Sequence, residues 1–350
     1  MCNFLSKLHS LNSVQPWDKT DELLATYCRN RVEPNAILVS QTGWANAATI
    51  DSVYDLLHMM GRDDIPVGLG DVFAMNQSDP VFSAVGNCRY NKVIPQGSGG
   101  YLDSDTLYGL ARSLPRSPRR YTAENSAKFG APRDTDHPEL RQPLASEVLE
   151  SVVKSLDPGS KISILTNGPL TNIAKIVLEG KNTSKAIQAS GSSIIADILI
   201  VGGHINHDNT EKGNVINVPS NKFAELNMFL DPLAAKTVLS SEHNIILIPL
   251  GIQRKDMFVG EILGAVVAGD LSALKSTFEV KKLKVSATGV ESEDGEIIID
   301  KEHGKAVKVL ENVDPSAYYN VLAKRLGDEK QFAVIGSFNE QRRIWSIPSV

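Results

Sequence analysis

The stretch Ile164-Leu165-Thr166-Asn167-Gly168-Pro169-Leu170-Thr171-Asn172 decides the fold, because it joins a strand to a helix. Residues 163–165 read as the end of a buried strand, and the Gly-Pro pair makes a sharp turn. Residues 170–178 then open a helix that we predict to stop at Gly180. Open α/β sheets bind small molecules at such strand-to-helix turns, although an ordinary connecting loop has the same composition.

Strand and helix patterns alternate on both sides of this turn. The predicted strands cover residues 36–40, 65–68, 162–165, 194–201 and 244–250. The predicted helices cover residues 46–60, 105–112, 145–156, 232–240 and 257–268. Asp231 is placed to cap the helix at 232–240, with Pro232 in its first turn. Repeated βα units predict an α/β fold with an open, mostly parallel sheet and helices on both faces.

The C-terminal third differs from the rest in composition. Strand patterns occupy residues 281–286, 296–300, 305–310 and 331–335, and a helix is predicted at 315–325. Asp294-Gly295 is a strong hairpin signal. We expect a small β-rich C-terminal appendage on one domain that covers residues 36–350, after a divergent N-terminal segment at 1–35. Whether that domain is complete stays open.

Composition excludes several classes of function. The chain has 350 residues and a net charge of −5, which disfavours a nucleic-acid surface. No apolar run approaches the ~20 residues of a membrane helix, so we expect neither nucleic acid nor membrane as a partner. The three cysteines are scattered and follow no metal or disulfide spacing. The first residues lack a secretory signal, which predicts a cytoplasmic chain unless a longer parent protein is secreted.

A second stretch carries a resemblance when it is taken together with residues 165–172. It contains, in order, Gly213-Asn214, Pro219, Ala224-Glu225-Leu226-Asn227 and Asp231-Pro232-Leu233-Ala234-Ala235. The two stretches resemble the signature elements of the inosine–uridine-preferring nucleoside hydrolases, and the likeness covers roughly residues 36 to 340. Residues 102–105 and 115–121 look most like the C-terminal half of a plant two-domain member.

The resemblance implies an activity. Such proteins hydrolyse the N-glycosidic bond of ribonucleosides to base and ribose, in nucleoside catabolism. In that family a bound Ca²⁺ holds the ribose 2′- and 3′-hydroxyls and a water, and an aspartate takes a proton from the water. The implied cofactor is therefore Ca²⁺ and the implied partner is a ribonucleoside. Because the family often forms oligomers, a homo-oligomer is also implied.

The same resemblance implies substrate-binding residues. Glu225 and Asn227 match the family's ribose-binding pair, and Asn214 matches a third substrate-binding residue. The spacing between Asn214 and Glu225 is longer here, so Asn217 or Asn221 could serve instead. Taken singly, Glu225 could be a surface charge and Asn227 could cap a turn.

Two further residues correspond to metal ligands of the family. Asn167 stands where a backbone carbonyl is offered to Ca²⁺, and Asp256 stands where a late aspartate would reach the ion. Asp256 could also simply favour the start of the helix that follows it.

The N-terminal region departs from the family pattern. The family opens with a strand and an Asp-x-Asp-x-x-x-Asp-Asp cluster that supplies metal carboxylates and the catalytic base. Residues 1–35 offer only Asp18, Asp21 and Glu22, whose spacing fits a helix start. Either aspartate could still complete the site, but the sequence assigns no catalytic residue.

Two losses together predict an impaired enzyme. Besides the missing cluster, the connection that leads to Lys255-Asp256 is shorter than in the family. Loss of a general base commonly lowers rates by about 10²–10⁴. The chain is therefore expected to be an impaired nucleoside hydrolase. The alternative is a catalytically inactive domain that serves as a binding or partner subunit.

Overall fold

The computed structural model describes residues 35–39, 53–54, 56–58, 61–70, 74–76, 143–157, 159–182, 194–205, 211–215, 218–255 and 260–326. Several predicted features lie outside the described residues: Asp18, Asp21, Asn217, Asp256, the helix at 105–112 and the strand at 331–335. Residues 53–54 and 56–58, inside the predicted helix at 46–60, are helical.

The described strands form two sheets. The first pairs β1 (Ile37–Val39) with β2 (Val67–Leu69) in parallel. The strands of the second are β3 (Ile162–Thr166), β4 (Ile195–Val201), β5 (Ile245–Ile248), β6 (Thr277–Val285), β7 (Ile297–Ile299) and β8 (Lys305–Asn312). Their order in this six-stranded sheet is β3-β4-β5-β8-β6-β7. Strands β3, β4, β5 and β8 run parallel, which confirms the mostly parallel α/β sheet.

Helices follow or precede most of these strands. They are α1 (Ala145–Ser155), α2 (Thr171–Asn182), α3 (Leu226–Leu230), α4 (Pro232–Leu239), α5 (Leu250–Lys255), α6 (Gly260–Asp270) and α7 (Pro315–Leu326), with a 3₁₀ turn at Leu271–Leu274. Within the described part of the chain, no helix is long and apolar enough to cross a bilayer.

Both faces of the central strands are buried under helices. One face packs Leu165, Leu199 and Ile246 against α6 residues such as Leu263 and Val266. The opposite face packs other residues of the same strands against α2 and α4: Ile164, Ile198, Leu247, Ile173 and Val238. Successive strand residues alternate between the two clusters because side chains in a strand point to opposite faces. Strands buried on both sides read as continuous apolar runs, which explains why their positions were predictable.

The β-rich C-terminal part is confirmed, and its strands extend the main sheet. Strand β8 lies parallel to β5, with Leu247 opposite Val309. Strands β6 and β7 pair antiparallel around the predicted Asp294-Gly295 turn. Gly295 has a φ of 85°, a left-handed conformation that glycine adopts without steric cost. The appendage thus continues the sheet beyond β5.

Several predicted element bounds are wrong. Helix α2 does not stop at Gly180 but continues to Asn182, since a helical glycine costs only about 1 kcal/mol relative to alanine. Strand β5 ends at Ile248 rather than at residue 250, because Pro249 has no N–H to continue the ladder. Strand β6 begins at Thr277 rather than at residue 281, because its pairing with β8 extends back to Thr277. The predicted start of α6, at residue 257, lies outside the described residues.

Candidate functional site

Buried polar side chains gather at the carboxyl edge of the parallel strands. Asn167 directly follows β3, and His204 follows β4 after two glycines. Glu225 and Asn227 approach the same edge from the start of α3. All four side chains are buried, although polar groups are normally kept at the surface. This is the edge at which open α/β sheets bind ligands.

Two glycines let the chain turn beneath Glu225. Gly202 and Gly203 have φ values of 139° and 79°. A Cβ at Gly202 would lie 2.6 Å from the Glu225 Oε2 atom. The end of β4 therefore requires glycine, both for its backbone conformation and for the close approach of the carboxylate.

One oxygen of Glu225 is bound by backbone and the other is not. Oε2 accepts hydrogen bonds from the backbone N–H groups of Gly203, at 2.9 Å, and Asn227, at 3.0 Å. Oε1 is buried and has no partner among the described residues. A buried acceptor left without a donor costs about 1–3 kcal/mol. The Glu225 carboxylate is thus fixed in place with one oxygen available to a hydrogen-bond donor.

Asn227 is fixed to the same strand end. Its Nδ2 donates to the carbonyl of Val201, the last residue of β4, at 3.0 Å. The structure therefore brings the predicted pair Glu225 and Asn227 together over β4. Glu225 caps α3 and Asn227 lies in its first turn. Since α3 has only five residues, these bonds to the strand end hold the pair more than helical pairing does.

Asn214 also reaches this pair. Its Oδ1 accepts a hydrogen bond from the Leu226 N–H at 2.6 Å, so it lies against the residue between Glu225 and Asn227. The alternative, Asn221, has scaffold contacts instead. It donates to the carbonyls of Glu291 and Asp294, at 2.8 and 2.9 Å, and accepts from Ala224 N–H at 3.0 Å. Between these two residues the contacts favour Asn214, and the other alternative, Asn217, lies outside the described residues.

Asn167 presents a side chain as well as the predicted backbone carbonyl. The side chain is fully buried, and neither its Oδ1 nor its Nδ2 has a partner among the described residues. A Cβ at Gly264 of α6 would lie 3.3 Å from this Oδ1. Asn167 thus adds an NH₂ donor group and an oxygen acceptor to the same edge, neither with a partner among the described residues.

Asp231 connects three segments near the site through hydrogen bonds. Its Oδ2 accepts from Thr171 Oγ1, at 2.7 Å, and Met75 N–H, at 2.9 Å, and its Oδ1 accepts from Ala234 N–H at 3.0 Å. Burial raises the pKa of this carboxyl, and the three hydrogen bonds partly oppose that effect. The predicted capping role is confirmed, and the residue also anchors the start of α2.

The sequence did not single out His204 as part of this group. Its side chain is buried, and its Nδ1 has no partner among the described residues. The signal that could have found it is its position directly after Gly202-Gly203, at the end of an apolar strand.

The described residues do not by themselves fit a calcium ion. Ca²⁺ takes six to eight oxygen ligands, mostly carboxylates and carbonyls. Within the described ranges, no group of three His, Cys, Asp or Glu side chains could hold a metal ion. The Glu225 and Asn167 side chains supply one carboxylate and one amide, and the predicted ligand Asp256 lies outside these ranges. The buried atoms of Glu225 and Asn167 that lack partners among the described residues suit a ligand rich in hydroxyl groups, which both donate and accept hydrogen bonds.

Comparisons with known proteins agree on one family. Residues 20–284 match the sequence profile described as inosine-uridine preferring nucleoside hydrolase. Nucleoside hydrolase 3 of Arabidopsis thaliana is 54% identical over 363 aligned positions, which cover 91% of this chain and 40% of the relative. Nucleoside hydrolase 4 of the same plant is 54% identical over 360 positions, which cover 91% of this chain and 64% of the relative. The chain thus spans less than two thirds of either relative.

Both alignments are longer than the 350 residues of this chain, so both relatives contain segments inside the matched region that this chain lacks.

A solved structure shows the same fold. The plant nucleoside hydrolase PpNRh1 superimposes with a TM-score of 0.57 over 88% of this chain and 95% of that protein, at 18% sequence identity.

Proposed function

The chain belongs to the inosine–uridine preferring nucleoside hydrolase family, and from this premise we propose that it binds ribonucleosides at the carboxyl edge of its sheet. We further propose that it hydrolyses their N-glycosidic bond slowly, releasing base and ribose. The single observation that carries the proposal is the buried Glu225 carboxylate, one oxygen of which is fixed by backbone while the other has no partner among the described residues.

A ribose offers hydrogen-bond donors and acceptors that complement the unpaired groups at this edge. Its hydroxyls are donors for Glu225 Oε1, and they can both donate to and accept from the Asn167 amide. Asn214 and Asn227 hold the short helix that Glu225 caps. A ligand bound in this way is oriented by groups that do not rearrange, which lowers the entropic cost of reaching a reactive geometry.

Slow turnover follows from the carboxylates that the sequence lacks. Residues 1–35 do not contain the Asp-x-Asp-x-x-x-Asp-Asp pattern, which in this family carries the base and the metal carboxylates. Loss of a general base alone lowers rates by about 10²–10⁴.

We propose that Ca²⁺, the family's cofactor, binds this chain weakly. Charge count largely sets Ca²⁺ affinity, and Glu225 is the carboxylate that the described part of the edge offers. Calorimetric titration of the protein with CaCl₂ tests this. Binding tighter than about 10⁻⁵ M, the affinity of a weak sensor site, would contradict it.

A second candidate function is a non-catalytic subunit that pairs with an active copy. The missing Asp pattern favours this non-catalytic role, because the chain lacks the pattern that carries the base and keeps the residues matched to ribose. Such a chain can bind ribonucleosides without hydrolysing them. Light scattering on the purified chain tests self-association, and mixing with Arabidopsis nucleoside hydrolase 3 tests pairing with an active relative.

One set of measurements tests the main proposal. Inosine, adenosine and uridine are titrated by calorimetry, and base release is followed by chromatography with added CaCl₂. We expect measurable binding with a kcat/KM at least about 100-fold below that of Arabidopsis nucleoside hydrolase 3. Equal turnover would overturn the impairment, and absence of binding to all three would overturn the ribonucleoside site.

A further inference from the structure

His204 lies at the candidate site with one ring nitrogen bound and the other unpaired. It follows Gly203, whose N–H binds Glu225, and it is 2% exposed. Its Nε2 lies 3.1 Å from the backbone carbonyl oxygen of Glu211. Its Nδ1 is buried without a partner among the described residues.

The Glu211 carbonyl decides which nitrogen carries the proton. A carbonyl oxygen can only accept, so Nε2 must be the N–H that donates to it. In the neutral ring, Nδ1 then carries a lone pair and acts as an acceptor. A buried acceptor without a donor is costly, so Nδ1 is suited to a hydrogen-bond donor that comes from a ligand.

The carbonyl that sets this tautomer is itself held in place. Residues 211–214, here called the strap, have three successive carbonyls bound by side chains. His204 binds that of Glu211, and Arg254 of α5 donates from Nη1 to that of Lys212 and from Nη2 to that of Gly213. The strap continues into Asn214, which binds the Leu226 N–H.

The strap is also hydrogen-bonded to, and closely packed against, the residues before Glu225. The Gly213 N–H donates to the Lys222 carbonyl at 2.8 Å, and the Asn214 N–H donates to the Ala224 carbonyl at 3.2 Å. A Cβ at Gly213 would collide with the Ala224 carbonyl. His204 and Glu225 are therefore oriented by one connected piece of backbone.

On the basis of the proposed ribonucleoside site, we propose that His204 is a further ligand-binding residue whose Nδ1 accepts a hydrogen bond from a ribose hydroxyl. The sugar is favoured over the base because Gly203, the residue before His204, binds the Glu225 carboxylate that is matched to ribose. The Nε2–H bond to Glu211 orients the ring and leaves Nδ1 for the ligand.

Two substitutions separate the two ring nitrogens. The amide of His204→Gln reaches about as far as Nε2 and can still donate to Glu211, but it offers no acceptor at the Nδ1 position. The amide of His204→Asn places an oxygen near the Nδ1 position but cannot reach Glu211. Binding of inosine and uridine is measured by calorimetry, and hydrogen exchange is measured for the amides of residues 211–226.

We expect opposite patterns in the two variants. H204Q should weaken inosine and uridine binding equally, by about 3–10-fold, with strap exchange as in the unmodified protein. H204N should stay within about threefold in affinity while the strap exchanges faster. Normal binding by H204Q would overturn the inference, and a loss for only one of the two nucleosides would overturn the assignment to the sugar.

Failure of the proposed function looks different. If the unmodified protein binds neither nucleoside, the ribonucleoside site falls and the role of His204 falls with it. If H204Q does not fold, ¹⁵N spectra of the unmodified protein decide the question. They should show the Nε2–H form of His204 without ligand and a changed Nδ1 signal with inosine; an unchanged Nδ1 signal would overturn the inference.

Discussion

Glu225 at the carboxyl edge and Asp294 in the C-terminal hairpin are buried carboxylates that backbone holds in the same way. Glu225 Oε2 accepts two N–H groups, and Asp294 Oδ1 accepts those of Thr288, at 2.8 Å, and Gly289, at 3.0 Å. They differ in the other oxygen. Glu225 Oε1 is buried without a partner among the described residues, whereas no side-chain atom of Asp294 is in that condition.

This difference predicts a structural role for Asp294 and a ligand-binding role for Glu225. A carboxylate whose buried oxygens are all satisfied strengthens the fold around it. One with an unpaired buried oxygen carries a cost that a ligand at that position removes, and at a ligand-binding edge such a group is a place where function is favoured over stability. Substitutions at the two residues should therefore have opposite consequences.

Asp294→Ala should have the largest effect, on stability. It removes the charge-assisted hydrogen bonds from Thr288 and Gly289 and leaves these N–H groups without that acceptor. We expect the free energy of unfolding to fall by about 3 kcal/mol, measured by urea denaturation. Asp294→Asn, which keeps one oxygen acceptor, is the matched control and should lose less. A loss below about 1 kcal/mol for the alanine variant would mean that the hairpin does not depend on this carboxylate.

Glu225→Gln should affect binding instead. Its amide oxygen can still accept the Gly203 and Asn227 N–H groups, but the acceptor at Oε1 and the charge are lost. Inosine binding should weaken by about 10–100-fold, while the free energy of unfolding changes by less than about 1 kcal/mol. Calorimetry and urea denaturation measure the two quantities.

Glu242→Gln is the control for that experiment. Glu242 is exposed and precedes β5, at the opposite edge of the sheet from the candidate site. The same chemical change there should leave inosine affinity unaltered. Equal losses in both variants would show that overall charge, rather than the Glu225 site, governs binding.

The pH dependence of stability extends the comparison to Asp231, a third buried carboxylate, both of whose oxygens are bound. Burial raises its pKa above the ordinary 3.8, so the folded state holds the proton more tightly than the unfolded state. Its contribution to stability is fully present below pH 3.8 and is lost as pH rises through the folded pKa. The difference in unfolding free energy between the unmodified protein and Asp231→Asn should therefore shrink as pH rises from about 4 to 7.

Other carboxylates titrate in the opposite sense and cancel in that difference. Hydrogen bonds from the N–H groups of His303 and Ala317 lower the pKa values of Asp300 and Asp314. Their contributions to stability are lost as pH falls. Urea denaturation of both proteins across the pH range isolates Asp231, and a difference that grows with pH would contradict the assigned direction.

Most of the fold could be predicted because its core is periodic. Strands buried on both faces gave uninterrupted apolar runs, and helices such as α1 and α4 showed an apolar face or a proline start. Helix α3 was not predicted, because five residues are too few for a helical period to show. It exists because Glu225 caps its first turn and Asp231 begins the next helix.

The candidate site was predictable only where residues follow one another in a motif. Glu225 and Asn227 stand in such a motif and come together as expected. The roles of His204 and Arg254 depend on carbonyls of the strap, which lie 7 and 41–42 residues away along the chain. Every residue has the same backbone carbonyl, so no pattern of residue types predicts these contacts.

Ser241→Ala should give the smallest effect, and it tests whether an unpaired atom alone marks a functional site. The Ser241 hydroxyl is also buried without a partner among the described residues, but it lies between α4 and β5, at the edge opposite Glu225. Removing it deletes an unsatisfied group and leaves only a small void, so the free energy of unfolding should stay constant or rise by up to about 1 kcal/mol. Inosine affinity should not change. A loss of inosine affinity in Ser241→Ala would mean that the two edges of the sheet are coupled. The proposed contrast between Glu225 Oε1, which meets a ligand, and Ser241 Oγ, which does not, would then be wrong.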